Sequence, residues 1–268
     1  MPLVPPSTMT LFLGSLALLA APVSSASSDL EGITAVSSKV FEGYARARLP
    51  DGSLKTETYT FGNGGFIASG SAGGETPGAQ RDPTIDAMGF DSIAKAMEAP
   101  LAAQGYVVTQ DLDTTSLLIM VFWGTTVGGF SEHKGKFRDL LDLKNAQLLG
   151  FDSEGTFGPG FGNNIHSNIQ KQVHSQMMTA LEVNRYFVIL RAFDFKSSIQ
   201  KKTKLLWETR FSINQRHNAF DVALPLMAQY ASQCFGQDTK GLVLTQVADG
   251  RVILGDVKSL GEVSPPQR

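Results

Sequence analysis

Cysteine is nearly absent from these 268 residues: Cys234 stands alone, so the chain can form no internal disulfide and no multi-cysteine zinc site. Histidine is scarce too. The four present, His133, His166, His174 and His217, make no His-Glu-x-x-His motif. His166 and His174, eight positions apart, would stand roughly 12 Å from each other on a helix, too far to share an ion. Neither sign of charge dominates, because 23 basic side chains against 25 acidic ones leave a formal charge of -2. That balance gives no electrostatic pull toward nucleic acid or anionic lipid. No apolar run reaches the roughly 20 residues of a membrane-spanning helix, which argues against an integral span.

The apolar run Met9 to Ala21 (MTLFLGSLALLAA) is instead the length of a signal-peptide core. Ser24 and Ala26 then put small side chains at the minus-three and minus-one positions of a cleavage after Ala26, although the segment ahead of the run carries no Lys or Arg. The expectation is a signal peptide over 1–26, a mature chain beginning near Ser27, and a periplasmic or secreted protein. No cysteine follows the run to carry a lipid anchor. Residues 27–262 read as one domain with an insertion at 126–167, and the Pro-containing tail at 263–268 reads as disordered.

Within that domain, Val40–Leu49 and Leu54–Phe61 flank the turn Pro50-Asp51-Gly52-Ser53, which predicts a hairpin. Gly62–Gln80 carries seven glycines and reads as a mobile loop. Asp82-Pro83 announces a helix whose Ile93, Met97 and Leu101 share a face and which Gly105 stops. The run Leu117–Thr125 (LLIMVFWGT) suits a central strand buried on both sides. A short helix at Lys136–Leu149 lies in the insertion, and a second one over Asn168–Glu182 aligns Ile169, Val173, Met177 and Leu181. Strands follow at Tyr186–Phe195 and Lys204–Ile213. Asn218 reads as the cap of a further helix burying Phe220, Leu224, Met227, Ala231 and Phe235, and Asp249-Gly250 as the turn of a last hairpin. Such an order is neither a regular βαβ alternation nor an all-β barrel. It predicts an α+β two-layer sandwich, a mostly antiparallel sheet with two or three helices on one face.

Three stretches carry a family resemblance: Ala94–Tyr106 (AKAMEAPLAAQGY), the strand Leu117–Trp123, and Phe187–Phe195 together with Leu205-Leu206-Trp207-Glu208. Together they resemble an uncharacterised bacterial envelope family, domain of unknown function 4136. In that family a helix ending in Gly-Tyr precedes a strand, and a strand ending in an Asp-containing turn precedes a Leu-Trp strand. Asp194 and Trp207 occupy those places here. The chain departs from the pattern in lacking a lipobox cysteine and in its long insertion. The resemblance implies an exported α+β protein and brings no catalytic residues with it.

The residues offer no convincing catalytic set of their own. Ser92-Ile93-Ala94-Lys95 matches the Ser-x-x-Lys of penicillin-interacting enzymes and Ser212-Ile213-Asn214 imitates their second motif, but the third, Lys-Thr-Gly, is missing. Ser69-Gly70-Ser71-Ala72-Gly73 lacks the first glycine of a nucleophile elbow, and the glycine string at 155–162 has no βαβ context for a nucleotide. Asp152-Ser153-Glu154-Gly155 lacks the later glutamate of a calcium loop. No cofactor or metal is expected. Lys196, Lys201, Lys202 and Lys204 read as a solvated connector, and Trp123, Trp207 and Cys234 as core. The insertion's phenylalanines are numerous for a solvated linker, so Phe130, Phe151, Phe157 and Phe161 are the candidate partner contacts. The resulting expectation is a non-enzymatic binding or scaffolding module for an unknown envelope protein or small ligand. Two alternatives stand beside it: a hydrolase whose catalytic set assembles only in three dimensions, and a small-molecule carrier.

Overall fold

The computed structural model describes residues 34–41, 43–68, 82–128, 136–151, 181, 183–248 and 251–254. The expected signal peptide, the tail, Phe130, Phe157, Phe161 and all but Leu181 of the expected helix within 168–182 lie outside the described residues. Among the described residues eight strands form one sheet: β1 Thr34–Val40, β2 Glu57–Ala68, β3 Tyr106–Val108, β4 Leu117–Thr126, β5 Arg185–Asp194, β6 Leu205–Asn214, β7 Leu242–Ala248 and β8 Arg251–Leu254. Their order is β3-β2-β4-β5-β6-β1-β7-β8. The described helices are α1 Pro83–Asp86, α2 Phe90–Ala103, α3 Lys136–Leu149, α4 Phe195–Ile199 and α5 Phe220–Ala231, the last extended by a 3₁₀ turn at Ser232–Cys234. The α+β class and the mostly antiparallel pairing agree with the sequence. The parallel pairings are those of β2 with β3 and with β4. Between β2 and β3 the chain passes through α1 and α2, which returns it to the end where β2 began.

The strands alternate strictly enough to give the sheet two different faces. On the first, Val36, Ile119, Val121, Val188, Leu190, Trp207 and Phe211 pack with Ile93, Met97 and Leu101 of α2 and Leu224 and Met227 of α5. On the second, Phe187 and Ile189 meet Ala146 and Leu149 of α3, Phe151 and Leu181. The helices therefore lie mainly on one face, with α3 added on the other, where these apolar side chains would otherwise meet water. Along β4, Leu117, Ile119 and Val121 are buried while Met120 and Phe122 are only half-buried, so a single face of this strand is fully closed. Among the described residues no helix is long and apolar enough to cross a membrane.

Four sequence expectations need correction. The first hairpin stops at its turn. Asp51 accepts from Ser53 N at 2.9 Å and Arg48 bridges Leu54, but β1 pairs with β6 and β7 while β2 pairs with β3 and β4. The segment between is pinned to the sheet instead: the Arg46 guanidinium lies 4.0 Å from the Tyr106 ring centroid, and Tyr44 Oη donates to Glu57 at 2.8 Å. Next, residues 62–68 of the glycine-rich stretch are strand, not loop. Gly62 and Gly64 lie beneath Met120 and Phe122, where a Cβ would collide with those side chains, so they serve close packing.

The helix expected from Pro83 is two helices. Asp82 caps α1 and Pro83 occupies its first turn, but Gly89 is extended at φ -80°, ψ 164° and restarts the chain as α2. Gly105, at φ +75°, follows its C-terminal end as expected. Asn218 turns its amide back to Asn214 O at 2.8 Å and does not cap α5. The Phe220 N–H donates instead to Thr84 Oγ1 of α1 at 2.9 Å, a cap supplied from elsewhere in the chain.

Candidate functional site

Among the described residues α3 covers only part of the second sheet face, and beside it lies a groove of about 880 Å³. Its floor is fixed by strand register. Arg191 of β5 lies opposite Glu208 of β6, which lies opposite Lys39 of β1. One step along, Ile189 faces Arg210, which faces Ser37. Alternation sends all of these side chains to the same side. Phe122, Ile67, Leu148 and Leu242 form partly buried apolar walls against the second cluster. Lys144 of α3 and Lys240 complete the lining. The rim at Lys240 is held to β1 by Thr239, whose backbone N–H and hydroxyl both donate to Ser38 O, at 3.0 and 3.1 Å.

At the centre, Glu208 takes one arginine on each oxygen: Arg191 Nε at 2.5 Å and Arg210 Nε at 2.6 Å. Burial pushes the Glu208 carboxyl up, but the hydrogen bonds and charges of Arg210 and then Arg191 outweigh it and hold the group below the usual carboxylate range. It therefore stays ionised and orients both guanidiniums. Each arginine gives it only the Nε–H, and the Nη groups have no partner among the described residues. Arg191 also lies over the Phe122 ring, 5.2 Å from its centroid. Five cationic side chains, Lys39, Lys144, Arg191, Arg210 and Lys240, line the groove against the carboxylates Glu208 and Asp238. In a chain whose total charge is -2, this is a local excess of positive charge.

None of these charged residues was proposed as a site from the sequence. The available signal was the charge written into apolar strands, Glu208-x-Arg210 in LLWETRFSIN and Arg191 in RYFVILRAFD. Of the proposed contacts, Phe151 is 3% exposed and packs in the groove wall beside Leu149 and Ile189. Ser92 and Lys95 are exposed on α2, whereas Ser212 is fully buried, in register with Phe187 of the second face and bonded to Arg185. The sheet separates the two halves of that motif. His217 is exposed, and the other three histidines lie outside the described residues. Among the described residues no three His, Cys, Asp or Glu side chains are grouped to hold a metal ion. Lys196, Lys201, Lys202 and Lys204 are exposed on the β5–β6 connector, and Cys234 is buried, which pushes its thiol up to about 11.

A second, smaller depression, about 480 Å³, opens beside Asp82. That carboxylate already accepts from Thr84 N at 2.9 Å, Thr84 Oγ1 at 2.7 Å, Gln215 Nε2 at 2.8 Å and the Tyr186 hydroxyl. Burial raises Asp82, but these donors, Tyr186 first, bring it down to about 2, and burial together with Asp82 pushes Tyr186 up to about 12. With its oxygens so fully engaged, the group ties α1 to β5 and to the turn before α5.

Two of the solved structures that match this chain do so with TM-scores below 0.5. One is a PDZ domain protein from Parabacteroides distasonis, 14% identical, matched over 80% of this chain with a TM-score of 0.39. This chain spans 38% of that protein's length. The other is a DUF4136 family protein from Bacteroides thetaiotaomicron, 11% identical, matched over 75% of this chain and 92% of its own, with a TM-score of 0.33. The latter belongs to the family that the sequence resembles, a domain of unknown function. No family model matches the chain, and the comparison with curated proteins found no match.

Proposed function

We propose that the protein is an exported, non-enzymatic binding module of the cell envelope, and that it takes its ligand in the groove on the second sheet face. One observation carries the binding role: cations in excess, pre-oriented by Glu208 and set beside an apolar wall, in a concavity of about 880 Å³. Sites of this size and mixed lining suit small ligands. The separation of Ser92 and Lys95 from Ser212 by the sheet favours binding over a serine hydrolase built on that motif. Export is supported by the run Met9–Ala21 and the small residues before Ser27.

Both halves are tested with the full chain expressed in a bacterium and carrying a photo-crosslinking amino acid at Leu148. The expected result is a mature N-terminus near Ser27, recovery from the envelope fraction, and a light-dependent adduct at Leu148. A retained Met1 in the cytoplasmic fraction would end the export reading. Absence of any adduct at Leu148 would end the assignment of the groove.

A further inference from the structure

Resting on the reading of the groove as a ligand site, we infer that its ligand is a small amphipathic anion: a phosphate or carboxylate head on a single hydrocarbon tail. Charge complementarity places the head. Arg191 and Arg210 are held by Glu208 through Nε alone, so the terminal Nη donors of both remain available to a second anion. Their side chains are 36% and 18% exposed, open enough to be reached and buried enough to escape full screening. Lys39, across β6 from Arg191, adds a third cation on the same row, and the single carboxylate among them cannot neutralise all three.

The tail follows from what adjoins that row. Phe122 lies under Arg191, and Ile67, Leu148 and Leu242 are partly buried hydrophobics packed against the second cluster and facing the same groove. A purely polar anion would leave these walls wet. A purely apolar ligand would desolvate the Nη groups of two guanidiniums and an ammonium without giving them partners, which is costly. An amphipathic anion satisfies both halves, with its head on the arginines and its chain along Phe122 and Leu148.

The test is calorimetric titration of the full chain with three probes: dodecyl phosphate, inorganic phosphate and uncharged dodecyl maltoside, the detergents kept below micelle formation. Dodecyl phosphate is expected to bind at least about tenfold more tightly than either of the others, and to weaken as salt is raised. The double variant Arg191→Gln/Arg210→Gln is expected to lose about tenfold or more, the scale of one lost charge-assisted hydrogen bond, and to melt at a lower temperature because Glu208 loses both its partners, so its affinity is read where the melting curve shows it folded. If that variant does not fold, Lys39→Gln on the exposed edge of the row is read in its place, with a smaller loss expected. Equal binding of phosphate and dodecyl phosphate would remove the tail from the inference, and equal binding of both detergents would remove the head. No binding by dodecyl phosphate would overturn it outright. An adduct at Leu148 alongside such a failure would condemn the ligand class alone, whereas failure of both would condemn the groove.

Discussion

Trp207 is fully buried, its ring stacked at 12° on Phe235 with centroids 6.2 Å apart and tilted against Tyr106 at 5.7 Å. Its indole N–H has no hydrogen-bond partner among the described residues, so the residue contributes by apolar contact alone. Trp207→Ala is expected to destabilise by about 3–5 kcal/mol in a urea titration, the cost of deleting a large buried aromatic. Trp207→Phe should cost much less, because the polar atom it removes makes no bond. A loss below about 1 kcal/mol for the alanine variant would contradict the packing. On the opposite face, the same alternation that buries Trp207 turns Glu208 toward the groove, so adjacent residues of one strand serve core and site.

Among the elements, α1 is only four residues long, yet it organises one end of the molecule. Thr84 donates its hydroxyl to Asp82, the cap of α1, at 2.7 Å and accepts the Phe220 N–H at 2.9 Å, so one side chain caps α5 and links it to the cap of α1. Thr84→Val preserves shape and removes the hydroxyl. It is expected to cost about 1–2 kcal/mol by thermal or chemical denaturation, with no change at the groove on the opposite sheet face. An unaltered stability would mean that water replaces the cap without loss. The sequence marked Asp82-Pro83 as a helix start because that signal is local. It could not mark Thr84 as the cap of a helix more than 130 positions away, since that contact exists only once β5 and β6 have brought the two helices together.

For the whole molecule, the region between β4 and β5 is the largest question that stability can answer. Asn145, Ala146, Leu149 and Phe151 are buried there, and Asn145 Nδ2 donates to Val127 O at 2.8 Å. Replacing residues 129–167 with a short Gly/Ser linker is therefore expected to lower Tm by about 10 °C, from roughly 4 kcal/mol of lost burial at Leu149 and Phe151 and 2–4 °C for each kcal/mol. An unchanged Tm would show that α3 adds nothing to the fold. Because α3 also supplies Lys144 and Leu148 to the groove, the same replacement should weaken dodecyl phosphate binding.

Composition and periodicity alone determined the α+β class, the strands Leu117–Thr126, Arg185–Asp194 and Leu205–Asn214 to within a residue or so, and the buried stripes of α2 and α5, including Ile93, Met97, Leu224 and Met227. Those features depend on neighbours one to four positions apart, which the sequence displays directly. Pairing partners do not. Val40–Leu49 looked like a hairpin arm, yet β1 gains more by lying between β6 and β7, where long-range register, not the nearby turn, selects its neighbours. The glycines of β2 looked like a loop until Met120 and Phe122 were seen to fill the space above them. The groove belongs wholly to the tertiary structure. Lys39, Arg191 and Glu208 are scattered through the sequence and become one row of charge only because three strands align in register with their side chains on the same face.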